Sequence, residues 1–379
     1  MASGEILGRD DLVASLRRDL EVQSVGLTAE RRMGKTSILT LLQELADDRT
    51  VVVYRDLEGI DSPSRFIENT LNDVLPHIGA GKRVREWLRD KYKVIGGMEL
   101  RDITLPELGP RDWRRLLVEV FGMLGDDGKD FVLLCDELPL MVEKIRTRHG
   151  PTEAIDLLDL LREVRKAQPN VRMVLTGSIG LHHVLAKLRA EGNTNDPIND
   201  VLMVTVEPLA EADAVMLAKR LFFGESLIVP EPDAAAAALV ASVDRIPFYI
   251  HHVVRGLRAR ASEPVTVERV DAVVDAAFTD PQDPWKLRYY DERIDSDFGA
   301  RAPQVRTILD TISISQPAAF AALVNAVASR HQPASTEQEV HELLSLLAAD
   351  HYVTLDRNGH WSFAYEIVGR AWRVRRSLG

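Results

Sequence analysis

The stretch Thr28–Ser37, TAERRMGKTS, contains Gly34-Lys35-Thr36, the residue order that closes a phosphate-binding loop. In such a loop, successive backbone N–H groups and the following helix N-terminus present their positive ends to phosphate oxygens. Lys35 would reach the β- and γ-phosphates of a nucleotide, and the Thr36 hydroxyl would ligate Mg²⁺. The common pattern G-x-x-x-x-G-K-[ST] puts its first glycine where Ala29 stands, so the fit is incomplete. An alanine costs on the order of 1 kcal/mol if its φ must be positive. Glu30 would set a carboxylate against polyphosphate, with Arg31 and Arg32 offsetting that charge. The candidate nucleotide-binding residues here are Ala29, Glu30, Arg31, Arg32, Met33, Gly34, Lys35, Thr36 and Ser37.

About a hundred residues later KDFVLLCDEL sets four apolar β-formers before Asp136-Glu137. Asp136 would hold Mg²⁺ through its water shell, and Glu137 would polarise the water that attacks the γ-phosphate. The next apolar run, RMVLTGS, ends in Thr176 and Ser178, polar residues placed to sense a γ-phosphate. Glu137, Lys35 and Ser178 are therefore the candidate catalytic residues, and Thr36 and Asp136 the candidate metal ligands. Each stretch has a plainer reading: a tight turn, a solvated strand end, ordinary turn chemistry. The three together, in this order, are more specific than any one alone.

These residues need a scaffold, and the apolar pattern supplies one. DDLVASLRRDLE, TSILTLLQELADD, residues 62 to 92, RDWRRLLVEVFGMLGDDG and TEAIDLLDLLREVRKAQ have helical character. Between them VQSVGLTA, TVVVYRDLEG, KDFVLLCDEL and NVRMVLTGS are near-continuous apolar runs, as a parallel sheet buried on both faces requires. From about residue 206 the pattern becomes all-helical, to near residue 280. From 301 come three more helical patterns and two short β-like runs, HYVTLD and HWSFAYEI, around the turn RNG. The expected architecture is α/β: a P-loop core with a parallel sheet over 1–206, a helical lid and connector over 207–300, and a winged-helix unit over 301–379.

The order of motifs, LGRDDLVASL, ERRMGKTSIL, FVLLCDEL, LTGSIGLHHVL, INDVLMVTVEPL and RIPFYIHHVV, resembles the AAA+ and STAND-like P-loop ATPases of the archaeal-type ATPase family, bacterial members included. The family loop usually reads G-P-R-R-x-G-K-T, and two positions depart from it here. The resemblance implies a nucleotide-binding core, a helical lid and a C-terminal winged helix. It implies that Gly8 and Arg9 open a segment near the adenine, and that Pro247 belongs to a lid motif that packs on the nucleotide. A glycine often precedes that motif in the family, whereas Arg245 stands here, as a surface residue or as a lid arginine on phosphate. The implied activity is an ATP/ADP-bound molecular switch with slow Mg²⁺-dependent hydrolysis. A non-hydrolysing scaffold or DNA-bound regulator is the alternative, and loss of nucleotide binding a third reading.

The bulk composition narrows the setting. The 379 residues suggest roughly two to three domains. Forty-seven Lys and Arg against 58 Asp and Glu give a net charge of −11, which argues against chain-wide attraction to nucleic acid or anionic membrane. The single cysteine, Cys135, sits in an apolar run and suits a reducing compartment. No leader and no run of roughly 20 apolar residues is visible, so a cytoplasmic protein is expected. Adjacent histidines, His182-His183 and His251-His252, point about 100° apart on a helix and complete no metal pattern. Arg162 and Arg165 fit an exposed helix, or an arginine completing a neighbouring subunit's site in a homo-oligomer. The tail arginines Arg370, Arg373, Arg375 and Arg376, with Trp372, could touch a phosphate backbone or an acidic partner. The unit from 301 on is near neutral, with eight Lys and Arg against seven Asp and Glu, and its third helical stretch, EQEVHELL, is acidic. A protein contact or autoinhibitory role is favoured there over DNA binding.

Overall fold

The structure, a computed structural model, describes residues 6–77, 90, 95–96, 103–104, 110–126, 128–177, 180–193, 195–332 and 335–378. The chain folds as two compact units. The first comprises Met1–Thr28 and Lys35–Val206, the second Ala29–Gly34 and Glu207–Gly379. The phosphate-loop segment thus groups with the second unit, although the strand before it and the helix after it belong to the first.

The first unit is built on a five-stranded parallel sheet. Its strands are β1 (Val25–Thr28), β2 (Thr50–Asp56), β5 (Asp130–Asp136), β6 (Val171–Thr176) and β7 (Leu202–Thr205), in the order β2-β5-β6-β1-β7. A two-residue antiparallel pair, β3 (Ile95–Gly96) and β4 (Ile103–Thr104), stands apart from it. The apolar runs are continuous because both faces are covered. Residues Phe131 to Asp136 are all buried, and Cys135 among them has its thiol pushed up to about 12 by burial. Leu116, Leu117, Phe121, Leu157 and Leu161 come from helices packed into the same core. These helices are Pro110–Asp126 and Pro151–Ala167, joined by Asp10–Val22, Lys35–Gln43, Pro63–Val74, Leu138–His149 and Leu181–Ala190. Of the helix expected over 62 to 92, the structure shows Pro63–Val74, capped by the Ser62 hydroxyl and followed by a 3₁₀ turn, Leu75–His77; residues 78–89 and 91–92 of that expectation lie outside the described residues. Pro76 lies in that turn and has no N–H to continue the ladder.

Parallel pairing sets the carboxyl ends of the strands along one edge. Leu27 of β1 is level with Thr176 of β6, Cys135 of β5 with Leu175, and Asp56 of β2 with Asp136. In open α/β sheets this edge is where ligands bind.

The second unit is mainly helical: Glu211–Gly224, Pro232–Ser242, Pro247–Arg258, Val267–Thr279 and Tyr289–Phe298. Then follow the helices Ala302–Ile314, Phe320–Arg330 and Glu337–Ala349, and the strands β8 (Ala318–Ala319), β9 (Val353–Leu355) and β10 (His360–Phe363). The strands form an antiparallel sheet in the order β8-β10-β9, and the helix Glu366–Arg376 closes the chain. The acidic helix starts at a capping box: the Thr336 hydroxyl accepts from Glu339 N–H while Glu339 accepts from Thr336 N–H.

The basic tail is not a free cationic face. Arg370 pairs with Asp275, Arg373 with Glu366, Arg375 with Asp291 at 2.9 Å and Arg376 with Asp310 at 2.9 Å. Trp372 is buried, and its indole N–H donates to Asp310 at 2.9 Å. Trp372 is thus a core residue, contrary to the surface role that composition suggested. Among the described residues no helix is long and apolar enough to cross a membrane.

Candidate nucleotide site

The chemistry-bearing residues of the first unit gather at the carboxyl edge of the sheet. Thr36, in the first turn of the helix Lys35–Gln43, donates its hydroxyl to Asp136 Oδ2 at 3.4 Å. Asp136 ends β5 with 7 % of its surface exposed. Its other oxygen accepts the Glu137 N–H at 3.1 Å. Burial, and then the adjacent Glu137 carboxylate, push Asp136 above the usual carboxylate range. A carboxylate this sparsely solvated, beside a hydroxyl, is a hard-oxygen pair suited to Mg²⁺.

Glu137 occupies the left-handed region, at φ 58° and ψ 32°, and immediately precedes the helix Leu138–His149. A side chain there costs roughly 1 kcal/mol or more, and such residues concentrate at functional sites. Thr176 ends β6, between β1 and β5, and its hydroxyl is buried with no hydrogen-bond partner among the described residues. An orphaned hydroxyl at this edge fits a polar ligand. Ser178, the other candidate there, lies outside the described residues.

Sequence reasoning missed Tyr54. Its hydroxyl donates to Asp136 Oδ2 at 3.4 Å, and burial followed by the Asp136 charge pushes its pKa up to about 12. TVVVYRDLEG is legible as a strand, but which strand it lies beside is not, and Tyr54 acquires its meaning only from the β2–β5 pairing.

Replacing Asp136 by Asn tests this electrostatic picture. A carboxyl whose folded pKa lies above its unfolded value contributes a penalty that is absent at low pH and sets in as pH rises towards the folded pKa. Asp136→Asn should therefore raise the melting temperature of metal-free protein at pH 7, by a few degrees at most. It should leave that temperature unchanged at acid pH and abolish any stabilisation by Mg²⁺. Differential scanning calorimetry at two pH values reads both effects.

The loop segment Ala29–Gly34, in the second unit, corrects two expectations. Ala29 is not among the residues with positive φ, so its Cβ carries no such penalty. Arg32 at φ 74° and Gly34 at φ 89° take the left-handed turns instead. Glu30 is not an exposed carboxylate facing polyphosphate: it is buried, 2 % exposed, and accepts the Arg31 N–H at 2.7 Å. Met33 is fully buried. The Arg32 guanidinium donates to the Tyr249 hydroxyl and to the Lys286 carbonyl at 2.9 Å. It lies 4.9 Å from the Phe248 ring centre, and Arg31 lies 4.0 Å over Tyr289.

Pro247 takes the first position of the helix Pro247–Arg258, where its missing N–H costs nothing. The two residues before Ile246, Asp244 and Arg245, both have positive φ, at 50° and 59°. This is the conformation a glycine adopts without cost, which gives a physical reason for glycine near such a motif. Arg245 is exposed, while Asp244 accepts the Ile367 N–H at 2.7 Å. In the first unit Gly8 has φ 66°, and Arg9, 6 % exposed, immediately precedes the helix Asp10–Val22. Lys35 and Ser37 are partly exposed.

One further sequence reading changes. Arg165 is not on an exposed face; it is 8 % exposed and grips both oxygens of Asp200, at 2.8 and 2.9 Å, and the Pro197 carbonyl at 2.7 Å. It is a structural ion pair, with Arg162 4.0 Å from the same carboxylate. The His182 and His183 ring centres lie 4.5 Å apart, with their planes tilted by 39°.

No family model matches the chain, and no curated protein matches it in sequence. Solved structures are similar to it over nearly its whole length. The Walker-type ATPase PABY2304 of Pyrococcus abyssi superposes with a TM-score of 0.64 at 19 % identity, covering 97 % of this chain and 96 % of that one. The ORC2 protein of Aeropyrum pernix, solved as ADPNP and ADP complexes, gives a TM-score of 0.53 at 11 % identity, covering 97 % and 95 %. At these identities the likeness is one of fold: the chain has the α/β architecture of P-loop ATPases, with its parallel sheet and helical remainder.

Proposed function

We propose that the chain is an ATP-binding molecular switch of AAA+/STAND-like type, with slow Mg²⁺-dependent hydrolysis. The observation that carries this reading is the meeting of Thr36 and Asp136. They come from stretches a hundred residues apart and put a hydroxyl and a carboxylate together at the ligand-binding edge of the sheet. Thr36 and Asp136 would hold Mg²⁺, which when bound supplies charge neutralisation on the phosphates. Lys35 and the amides at the start of its helix would bind phosphate oxygens, Glu137 would orient and polarise the attacking water, and the Thr176 hydroxyl would meet a phosphate or that water. Gly8, Arg9 and Pro247 remain candidates for the nucleoside end on the strength of the family resemblance.

In this reading 207–300 acts as a lid and 301–379 as a winged helix whose arrangement follows the nucleotide state. Its acidic third helix, and tail arginines already paired with carboxylates of the second unit, support a protein partner over DNA. A second reading, a non-hydrolysing nucleotide-dependent scaffold, is favoured by one feature: Glu30 already supplies an anion to a loop amide.

Calorimetric titration of ATP with Mg²⁺ into nucleotide-stripped protein tests the proposal. Saturable binding at one site per chain is expected. Folded protein that takes up no ATP would end both nucleotide readings.

A further inference from the structure

The two arginines of the loop look, in sequence, like phosphate ligands. Their surroundings assign them elsewhere. Arg32 holds a left-handed backbone conformation at φ 74°, which a non-glycine residue keeps only when its surroundings impose it. What imposes it is visible. One guanidinium nitrogen donates to the Tyr249 hydroxyl, another to the Lys286 carbonyl at 2.9 Å, and the plane lies over Phe248 and Tyr249 at 4.9 and 5.3 Å. Tyr249 is fully buried, so the bond is made in a water-poor setting where it is strong. Arg31 stacks over Tyr289 at 4.0 Å, and its amide is held by the buried Glu30 carboxylate.

We infer that Arg31 and Arg32 are positioning residues: they clamp the loop onto Tyr249 and Tyr289, so that its amides are preorganised for the phosphates of a nucleoside triphosphate. The Arg32 guanidinium is engaged by a hydroxyl, a carbonyl and two aromatic rings, and Arg31 by the Tyr289 ring, so both side chains hold the loop. A lysine cannot substitute for Arg32, because a point charge makes neither the two-pronged bond nor the stacked contact. The ATP part of this inference rests on the function proposed above; the clamp itself does not.

The test uses full-length protein with Arg32→Lys, Tyr249→Phe and both together. Tyr249→Phe removes one hydroxyl and keeps the ring. Hydrogen exchange at the amides of residues 30–34, read without nucleotide, should quicken about tenfold in each single variant, with the melting temperature little changed. Calorimetry should show ATP·Mg²⁺ binding weakened about tenfold by each substitution, with the double variant no weaker than either single one. That non-additivity is the signature of one shared contact. Arg32→Lys weakening ATP while Tyr249→Phe leaves exchange and affinity unchanged would overturn the inference and make Arg32 a direct phosphate ligand. Wild-type protein that binds no ATP would remove the functional proposal, and the exchange rates would still decide the clamp.

Discussion

Lys35→Ala abolishes measurable ATP·Mg²⁺ binding: we expect affinity to fall at least about 100-fold, or about 2.7 kcal/mol. The reason is local. Lys35 opens the helix Lys35–Gln43, directly after Gly34, whose φ of 89° turns the chain into that helix. An ammonium at this place adds a full charge to the partial positive charge of the helix N-terminus. Alanine keeps the helix, being its best former, and removes the ammonium together with its aliphatic stem. The variant should therefore unfold like the wild type while its calorimetric titration shows no heat of binding. Binding of equal strength in both proteins would mean that GKT is a turn and nothing more.

Glu137→Gln should separate binding from chemistry. Removing a water-polarising base costs about 10²- to 10⁴-fold in turnover, while glutamine keeps the size and most of the hydrogen bonding of the side chain. The left-handed backbone at φ 58° is equally accessible to both residues, so the fold bears no new cost. Single-turnover phosphate release should drop by at least about 100-fold, with ATP affinity within about threefold of wild type. Equal phosphate release from the two proteins would sink the hydrolytic reading and leave the scaffold. Asp136 offers the contrast: in the proposed function its carboxylate would hold Mg²⁺, so Asp136→Asn should lose affinity and turnover together.

Much of the candidate site is legible in one dimension because it is local. Gly34-Lys35-Thr36 between a strand and a helix, and Asp136-Glu137 at the end of an apolar run, each declare themselves within about ten residues. So do the α/β class and the parallel sheet, since a strand covered on both faces must be apolar throughout. The sheet order β2-β5-β6-β1-β7 is different in kind. It places Thr176 between the two motif strands and Tyr54 on Asp136, and no local pattern encodes which strand neighbours which.

Side-chain partners were the least legible feature. Arg32 meets Tyr249, 217 residues away, and Arg165 meets Asp200 across 35. An arginine in a loop or on a helix reads as a solvated or ligand-binding cation, because composition carries no trace of a distant carboxylate or aromatic ring. Glu30 reads as a liability beside phosphate for the same reason; in the fold it is buried and accepts the N–H of Arg31. By itself the sequence determined the α/β class, the buried parallel strands and the residue kinds at the sheet's edge, all set by near-neighbour spacing. Only the tertiary structure decided which charges already have partners, because that depends on groups brought together by packing across tens to hundreds of residues.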